Sequence, residues 1–342
     1  MDTDTTKTLG SVPVIDIAPL LTASQKAMCK EDDESSASDR SMRAACVQEM
    51  GEACRKWGFF YIKKHGITQE DITKFRTNMA EFFHLEENVL NKIRRNKDNS
   101  RGYFDDELTK NKLDWKRCFD FGAQDGSLDN EGMDGKNQWP LVEEHETFEE
   151  VMKDYYSKME SLSRVLLGAI CESLGFDSNM LRSHFDGSHT SYLRLNYYPI
   201  CDDPESNMAI HHHTDAGALT ILYQDNDVTS LQVYRNDKWY FIPPEKDTFV
   251  INIGDMIQVW SNDRYKAPLH RVQANSSYER YSAPFFYNPA YKADIEPLVD
   301  ESSTDNQLYN VVNWGEFRAK RFAGDFADVG EEVQISHYRV IS

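Results

Sequence analysis

From Ser188 to Asn288 the chain breaks into short β-prone runs separated by turn residues, and that rhythm limits the folds open to it more than any other feature. The runs cover 191–198, 217–223, 230–234, 239–242, 248–252, 256–260, 269–273 and 282–288. Eight of them in succession point to a closed or double-sheet β structure, a jelly roll or barrel. The chain ahead of them is patterned differently. Val47, Met50, Cys54 and Trp57 recur at helical spacing, predicting an amphipathic helix over 41–57 that stops near Gly58. Val12–Asp16 and Phe59–Lys63 read as strands, and Thr68 as the N-cap of a helix buried through Ile72, Phe75, Met79 and Phe82. A long helix is expected from Phe148 to Leu174 and a further one from Trp314 to Phe322. The acidic 31–39 stretch and the Gly/Asp-rich 125–137 stretch read as solvated loops. The fold class is therefore α+β with a mainly β core. Residues 1–185 form a helical region with short strands packed on that core, residues 186–342 form the jelly roll with its C-terminal helix, and the two are expected to make one compact unit.

On this β core sit residues that suit a metal. His213 and Asp215 lie two apart, so in extended chain they face the same side. His270 follows 57 positions later, after several strand-like runs, as a third donor from a neighbouring strand. Two imidazoles and one carboxylate on one face of a metal make the facial triad of non-haem Fe(II) oxygenases, which leaves positions open for substrate and O₂. Ten residues beyond His270, Arg280 and Ser282 again share a strand face. An Arg fork beside a hydroxyl suits a carboxylate. A keto acid such as 2-oxoglutarate could chelate Fe(II) at one end and rest its far carboxylate there. Asn196 and Tyr198 offer a second polar pair at the same spacing.

Taken in order, Asn196-Tyr-Tyr198-Pro, His213-Thr-Asp215, Asn252-x-Gly254-Asp255, His270 and Arg280-x-Ser282 resemble the isopenicillin N synthase-like family of Fe(II)/2-oxoglutarate-dependent oxygenases. The likeness extends to Pro13-Val-Ile-Asp16, Trp57-Gly-Phe-Phe60, His65-Gly66, Asp114-Trp115 and Gly330-Glu-Glu-Val-Gln334, and so to nearly the whole chain. The resemblance implies a double-stranded β-helix, a cupin-like jelly roll flanked by helices. It implies His213, Asp215 and His270 as iron ligands and Arg280, Ser282, Asn196 and Tyr198 as the seat of 2-oxoglutarate. O₂ is the implied co-substrate, with ascorbate as a supporting reductant. The implied reaction oxidises a C–H bond of a small metabolite, by hydroxylation, desaturation or oxidative cyclisation, with release of succinate and CO₂. The family places substrate-lining residues near 101–121, on strands facing the iron, and near the C-terminal helix. Tyr103, Phe119, Phe121, Leu222 and Phe286 are the lining residues expected here.

Two alternatives stay open from sequence. Some family members, isopenicillin N synthase among them, keep Arg-x-Ser but take their electrons from the substrate rather than from 2-oxoglutarate. A non-catalytic metal-binding or sensing scaffold would be expected to lose a ligand or the Arg-x-Ser pair, and here all are present. The neighbouring His211 and His212 read as exposed or supporting residues, and His84 and His145 as surface or core. Gly254-Asp255 reads as a turn and Cys201 as structural. Arg101, Lys116, Arg117 and Arg194 could contact an anionic substrate, but they default to solvated surface.

The net charge of −19 disfavours nucleic acid, including a demethylase role, because phosphate binding needs concentrated Lys and Arg. No apolar run approaches the ~20 residues of a membrane span. The acidic N-terminus lacks the basic and apolar regions of a secretion signal. Six cysteines without a C-x-x-C pair read as thiols of a reducing compartment. The expectation is a cytoplasmic, monomeric enzyme with a small-molecule substrate and neither a membrane nor a nucleic-acid partner.

Overall fold

The computed structural model describes residues 12–21, 37–109, 111–123, 134–141, 146–186, 189–225, 228–299, 306–326 and 333–340. Two sheets face each other. The larger contains β1 (Val14–Asp16), β2 (Phe59–Lys63), β3 (Gly102–Phe104), β4 (Arg117–Phe121), β5 (Tyr192–Tyr198), β7 (Leu219–Gln224), β10 (Thr248–Ile253) and β12 (Arg280–Tyr287), in the order β1-β2-β10-β7-β12-β5-β4-β3. The smaller contains β6 (Met208–His213), β8 (Leu231–Arg235), β9 (Lys238–Phe241) and β11 (His270–Gln273), in the order β9-β8-β11-β6. Helices α1 (Ala37–Lys56), α2 (Gln69–Phe83) and α3 (Glu146–Ser173) cover the outer face of the larger sheet. The double sheet is the double-stranded β-helix implied by the motifs.

Period-two alternation sorts the side chains of the larger sheet. Phe60 and Ile62, Ile221 and Tyr223, Phe249 and Ile251, and Phe285 and Tyr287 join the core under the helices. Their neighbours Phe59, Tyr61 and Val250 face inward and pack with Ala209, Leu231, Val233 and Val272 of the smaller sheet. Thr68 caps α2, its hydroxyl accepting from the Asp71 amide at 3.1 Å. Gly58 closes α1 at φ +65°, a conformation in which a side chain would also press on the Lys266 carbonyl.

Three expectations change. Residues 256–260, predicted as a strand, lie in helix α4 (Asp255–Trp260). A short apolar run has no decisive period, and here the Gly254, Asp255 and Met256 amides turn aside to donate to the Ala218, Asp215 and Gly217 carbonyls. Strand β6 forms outside the eight predicted runs, because pairing with β11 supplies what its polar His-His-His sequence does not advertise. The helix α1 starts at Ala37, inside the predicted solvated loop, while 31–36 and 124–133 lie outside the described residues.

The turn at Gly254 leaves no room for a side chain, because a Cβ there would overlap the Gly217 carbonyl oxygen. Gly254→Ala is expected to cost about 1–3 kcal/mol through overpacking. An unchanged urea midpoint would show instead that the 215–218 loop yields freely. Strands from 1–185 flank both edges of the larger sheet around strands from 186–342. We propose that both regions unfold as one cooperative unit. Tryptophan fluorescence and far-UV circular dichroism should report one coincident transition, and two separate ones would divide the chain.

Candidate metal centre and its two chambers

His213, the last residue of β6, lies directly opposite His270, the first of β11. Their ring centroids are 4.3 Å apart. Asp215 follows on the short connection that carries the chain to the larger sheet. Its Oδ1 lies 3.6 Å from the Nε2 of each histidine. One donor atom from each of the three falls within 4.8 Å of the others, forming the one such cluster of His, Cys, Asp or Glu among the described residues. A divalent cation about 2.1 Å from each donor fits that spacing.

Surrounding bonds orient all three side chains. The His213 Nδ1 meets the His211 carbonyl at 2.8 Å, and the His270 Nδ1 meets the Pro268 carbonyl at 3.1 Å. A carbonyl can only accept, so each ring carries its proton on Nδ1 and turns a lone pair on Nε2 toward the cluster. Asp215 Oδ2 accepts from Thr220 at 2.5 Å and from Asn252 at 2.7 Å, which leaves Oδ1 for the cluster. Burial alone would raise the Asp215 carboxyl, but His270, His213 and the Thr220 hydroxyl hold it well below the usual range. Burial and the neighbouring His213 push His270 down to about 4, so it is a neutral donor at pH 7. His213 is raised: burial acts against this, but the bond to Asp215 prevails.

Two cavities meet at this cluster, and His213, Asp215, Asn196, Ile210, Pro284 and Phe286 line both. The first runs between the sheets and ends at Arg280, which is 1% exposed. Arg280 donates from Nη2 to Gln224 at 3.0 Å, but its Nε and Nη1 are buried without an acceptor among the described residues. Ser282 Oγ stands 3.2 Å from the Tyr198 hydroxyl and 3.4 Å from the Asn196 amide. The Arg280 guanidinium also lies over the Tyr198 ring. The four predicted seat residues are thus brought together on adjacent β5 and β12, where Ser282 pairs with Asn196 and Arg280 with Tyr198. The orphaned guanidinium donors and the hydroxyl beside them fit the carboxylate end of a dicarboxylic keto acid.

The second cavity is rich in charge, which corrects the surface expectation for three of the four basic residues. Arg101 and Lys116 are buried and Arg194 is half-buried, whereas Arg117 is exposed. Arg194 forks onto Asp120 through two 2.8 Å bonds and reaches Glu107 at 2.8 Å. Lys116 bridges Glu107 at 2.5 Å and Asp114 at 3.2 Å. Burial would raise Glu107, but Arg194, Lys116 and Arg95 keep it far below its ordinary value. Asp114 also meets the His211 backbone amide at 3.1 Å and the His211 Nδ1 at 3.0 Å. His211 is therefore a supporting residue. His212 points away, its ring edge toward Trp239. His84 is exposed beside Glu279 and Tyr281, and His145 lies outside the described residues.

The predicted lining residues divide. Phe286 lines both cavities and Leu222 the first. Tyr103, Phe119 and Phe121 do not line either: they lie in the core under the helices, where Phe119 and Phe121 pack on Trp139. Alternation along β4 turns Phe119 and Phe121 outward and presents Asp120 to the cavity instead. The same alternation could have found Asp120, Arg194, Thr220 and Asn252. Each is a polar residue between apolar neighbours on a strand whose other face is core.

Residues 189–289 match the 2OG-Fe(II) oxygenase superfamily, and residues 12–141 match the N-terminal region described as non-haem dioxygenase in morphine synthesis. The chain is 33% identical to Jasmonate-induced oxygenase 2 of Arabidopsis thaliana over 321 residues, covering 92% of this chain and 80% of that protein. It is 32% identical to Homoarginine-6-hydroxylase 2-ODD-C23 of Glycine max, covering 94% and 98%. The crystal structure of JOX2 in complex with 2OG, Fe and JA superposes with a TM-score of 0.74 at 30% identity, covering 92% of this chain and 85% of that one. A full-length Neurospora crassa protein solved in complex with alpha-KG and thymine shares the fold, with a TM-score of 0.76 at 24% identity and coverage of 91% and 96%. With a two-histidine, one-carboxylate cluster opening onto a chamber that ends at a buried arginine, the chain belongs to the 2OG-Fe(II) oxygenase superfamily and is a non-haem Fe(II)- and 2-oxoglutarate-dependent oxygenase.

Proposed function

We propose that His213, Asp215 and His270 hold Fe(II), and that Arg280, Ser282 and Tyr198, with Asn196 at the chamber wall, seat 2-oxoglutarate. The reaction is oxidation of a C–H bond of a small-molecule metabolite. The observation that carries the co-substrate reading is Arg280, a buried guanidinium whose Nε and Nη1 have no hydrogen-bond partner among the described residues. An unpaired buried charge is costly, and an anionic carboxylate is the ligand that answers it. Bound iron would supply the oxidising chemistry, coupling O₂-dependent decarboxylation of 2-oxoglutarate to substrate oxidation with release of succinate and CO₂.

The protein's own residues prepare for this. The Nδ1 bonds keep both imidazole rings in the metal-binding tautomer. Thr220 and Asn252 restrain Asp215 to a single available oxygen. Ile210, Pro284 and Phe286 give the junction of the chambers an apolar wall. The relatives named above include a homoarginine hydroxylase and structures holding JA or thymine. That range fits a shared frame that takes different substrates, with the second cavity as the proposed seat of selection here. The reading extends to a reducing compartment, supported by the five described cysteines, all free and buried.

Anaerobic addition of Fe(II) and 2-oxoglutarate should raise a visible metal-to-ligand charge-transfer band, and a metabolite library should stimulate succinate release. A protein that binds Fe(II) without the band, or turns over substrate without succinate, would belong to the oxidase type. His213→Ala and His270→Ala should each abolish iron loading and turnover; full 2-oxoglutarate decarboxylation by either would refute the ligand set. Asn252→Ala, which frees Asp215 without removing a ligand, is expected to weaken Fe(II) binding by about 10–100-fold, read by metal titration. Arg280→Gln should raise the 2-oxoglutarate KM by about 10–100-fold, the loss of a charge-assisted fork, while iron binding persists.

A further inference from the structure

Beyond the iron and the co-substrate seat, the second cavity holds a pair of arginines that the reaction leaves unused. Arg318, on α5 (Trp314–Phe326), is 9% exposed and Arg101, beside β3, is 5% exposed. They converge on one carboxylate. Arg101 Nη2 donates to Asp134 Oδ1 at 2.6 Å, and Arg318 Nη2 lies 3.9 Å from the same oxygen. Arg318 otherwise donates to the Thr190 carbonyl at 3.0 Å. A guanidinium carries five N–H donors, and each of these two makes a single side-chain hydrogen bond among the described residues. Among the described residues, these two buried cations bond to one carboxylate between them.

The other described carboxylates make their bonds elsewhere, with Asp120 adding a through-space attraction to Arg318. Glu107 already meets Lys116 and Arg194, Asp120 is forked by Arg194, and Asp114 meets Lys116. Arg321, one turn along α5, is tied to the Thr214 and Val333 carbonyls. The Tyr192 ring stands between the pair, with Arg101 and Arg318 at 5.2 and 5.4 Å from its centroid. Its hydroxyl makes no hydrogen bond among the described residues. Burial pushes that phenol up to about 12, so it remains a neutral donor at pH 7. Between this corner and the metal cluster the wall turns apolar, through Ile210, Pro284 and Phe286.

We infer that the substrate is a carboxylic acid, its carboxylate seated on Arg318 and Arg101 beside the Tyr192 hydroxyl and its apolar carbons lying toward the metal cluster. A carboxylate brings a single negative charge to the pair. A phosphate would bring a second negative charge to arginines that already share Asp134, in a cavity lined by Glu107 and Asp120. The inference rests on the oxygenase function proposed for this same site.

The test uses the full chain loaded anaerobically with Fe(II) and 2-oxoglutarate. Formation of the charge-transfer band is checked first, because its absence would count against the oxygenase reading rather than against the carboxylate seat. The loaded protein is then screened by thermal shift, and in air by succinate release. The probes are matched sets of alkanoic, hydroxy, amino and aryl acids, their primary amides and methyl esters, and phosphate monoesters of the corresponding alcohols. Stabilisation and turnover are expected for acids alone. For the best acid, Arg318→Gln should raise KM by about 10–100-fold, as expected for a truncated buried charge contact, with a much smaller change in kcat. Arg318→Lys should recover part of that loss, and Arg101→Gln provides the same comparison if Arg318→Gln fails to form the band. A formed band with amides, esters or phosphates binding as well as acids, with no acid binding, or with KM unchanged in both glutamine variants, would overturn the carboxylate seat and leave the oxygenase reading standing.

Discussion

The site depends on one cross-strand pair, His213 of β6 facing His270 of β11. Because strand faces alternate with period two, a slip of one residue would turn one imidazole out of the sandwich. Beyond the histidines the ladder shifts register at a bulge, and past it Val272 pairs with Ile210 and packs in the core between the sheets. The third donor is held differently. Asp215 lies past the end of β6, on a connection whose carbonyls receive the amides of Gly254, Asp255 and Met256. Apolar packing thus places the two histidines, while backbone hydrogen bonds from across the larger sheet place the carboxylate.

Around that pair the protein keeps an unusual amount of charge out of water. Lys116, Glu107, Asp114 and Arg280 are almost wholly buried, with Arg194 half-buried beside them. Removing such groups from solvent is costly unless each meets a partner. Most here do, through the forks and bridges that join Arg194, Asp120, Glu107, Lys116 and Asp114. The exceptions are informative. Among the described residues, Arg280 has buried donors with no acceptor, and Arg318 and Arg101 share a single carboxylate. The two under-satisfied positions occupy different chambers that meet at the metal cluster. One suits the co-substrate's carboxylate and the other suits a carboxylate on the substrate, so both reactants would be oriented by their charged ends.

Much of this was legible residue by residue. Helical periods located α1, α2 and α3, and the Thr68 cap acts as its sequence indicated. The spacing of Arg280 and Ser282 put both on the inward face of β12, where Asn196 and Tyr198 meet them from β5. The failures have local causes. Residues 256–260 are too short and too uniformly apolar for a period to separate strand from helix. Tyr103, Phe119 and Phe121 looked like lining because aromatic residues suit pockets and cores equally. Which face of β4 meets the cavity follows from its pairing with β5, not from residue type. Arg101, Lys116 and Arg194 looked like solvated surface because charged residues usually are.

By itself the sequence determined the β-rich core and which residue types make up the proposed donor set and carboxylate seat, since these follow from residue type and a period of two or 3.6. Tertiary structure decided the rest. It chose which faces look inward, supplied Thr220 and Asn252 as restraints on Asp215, and set Arg318 from the C-terminal helix against Arg101 and Asp134 from the N-terminal half. The physical reason is range. Periodicity acts within a few residues of chain, whereas burial and charge pairing depend on neighbours that only folding brings together.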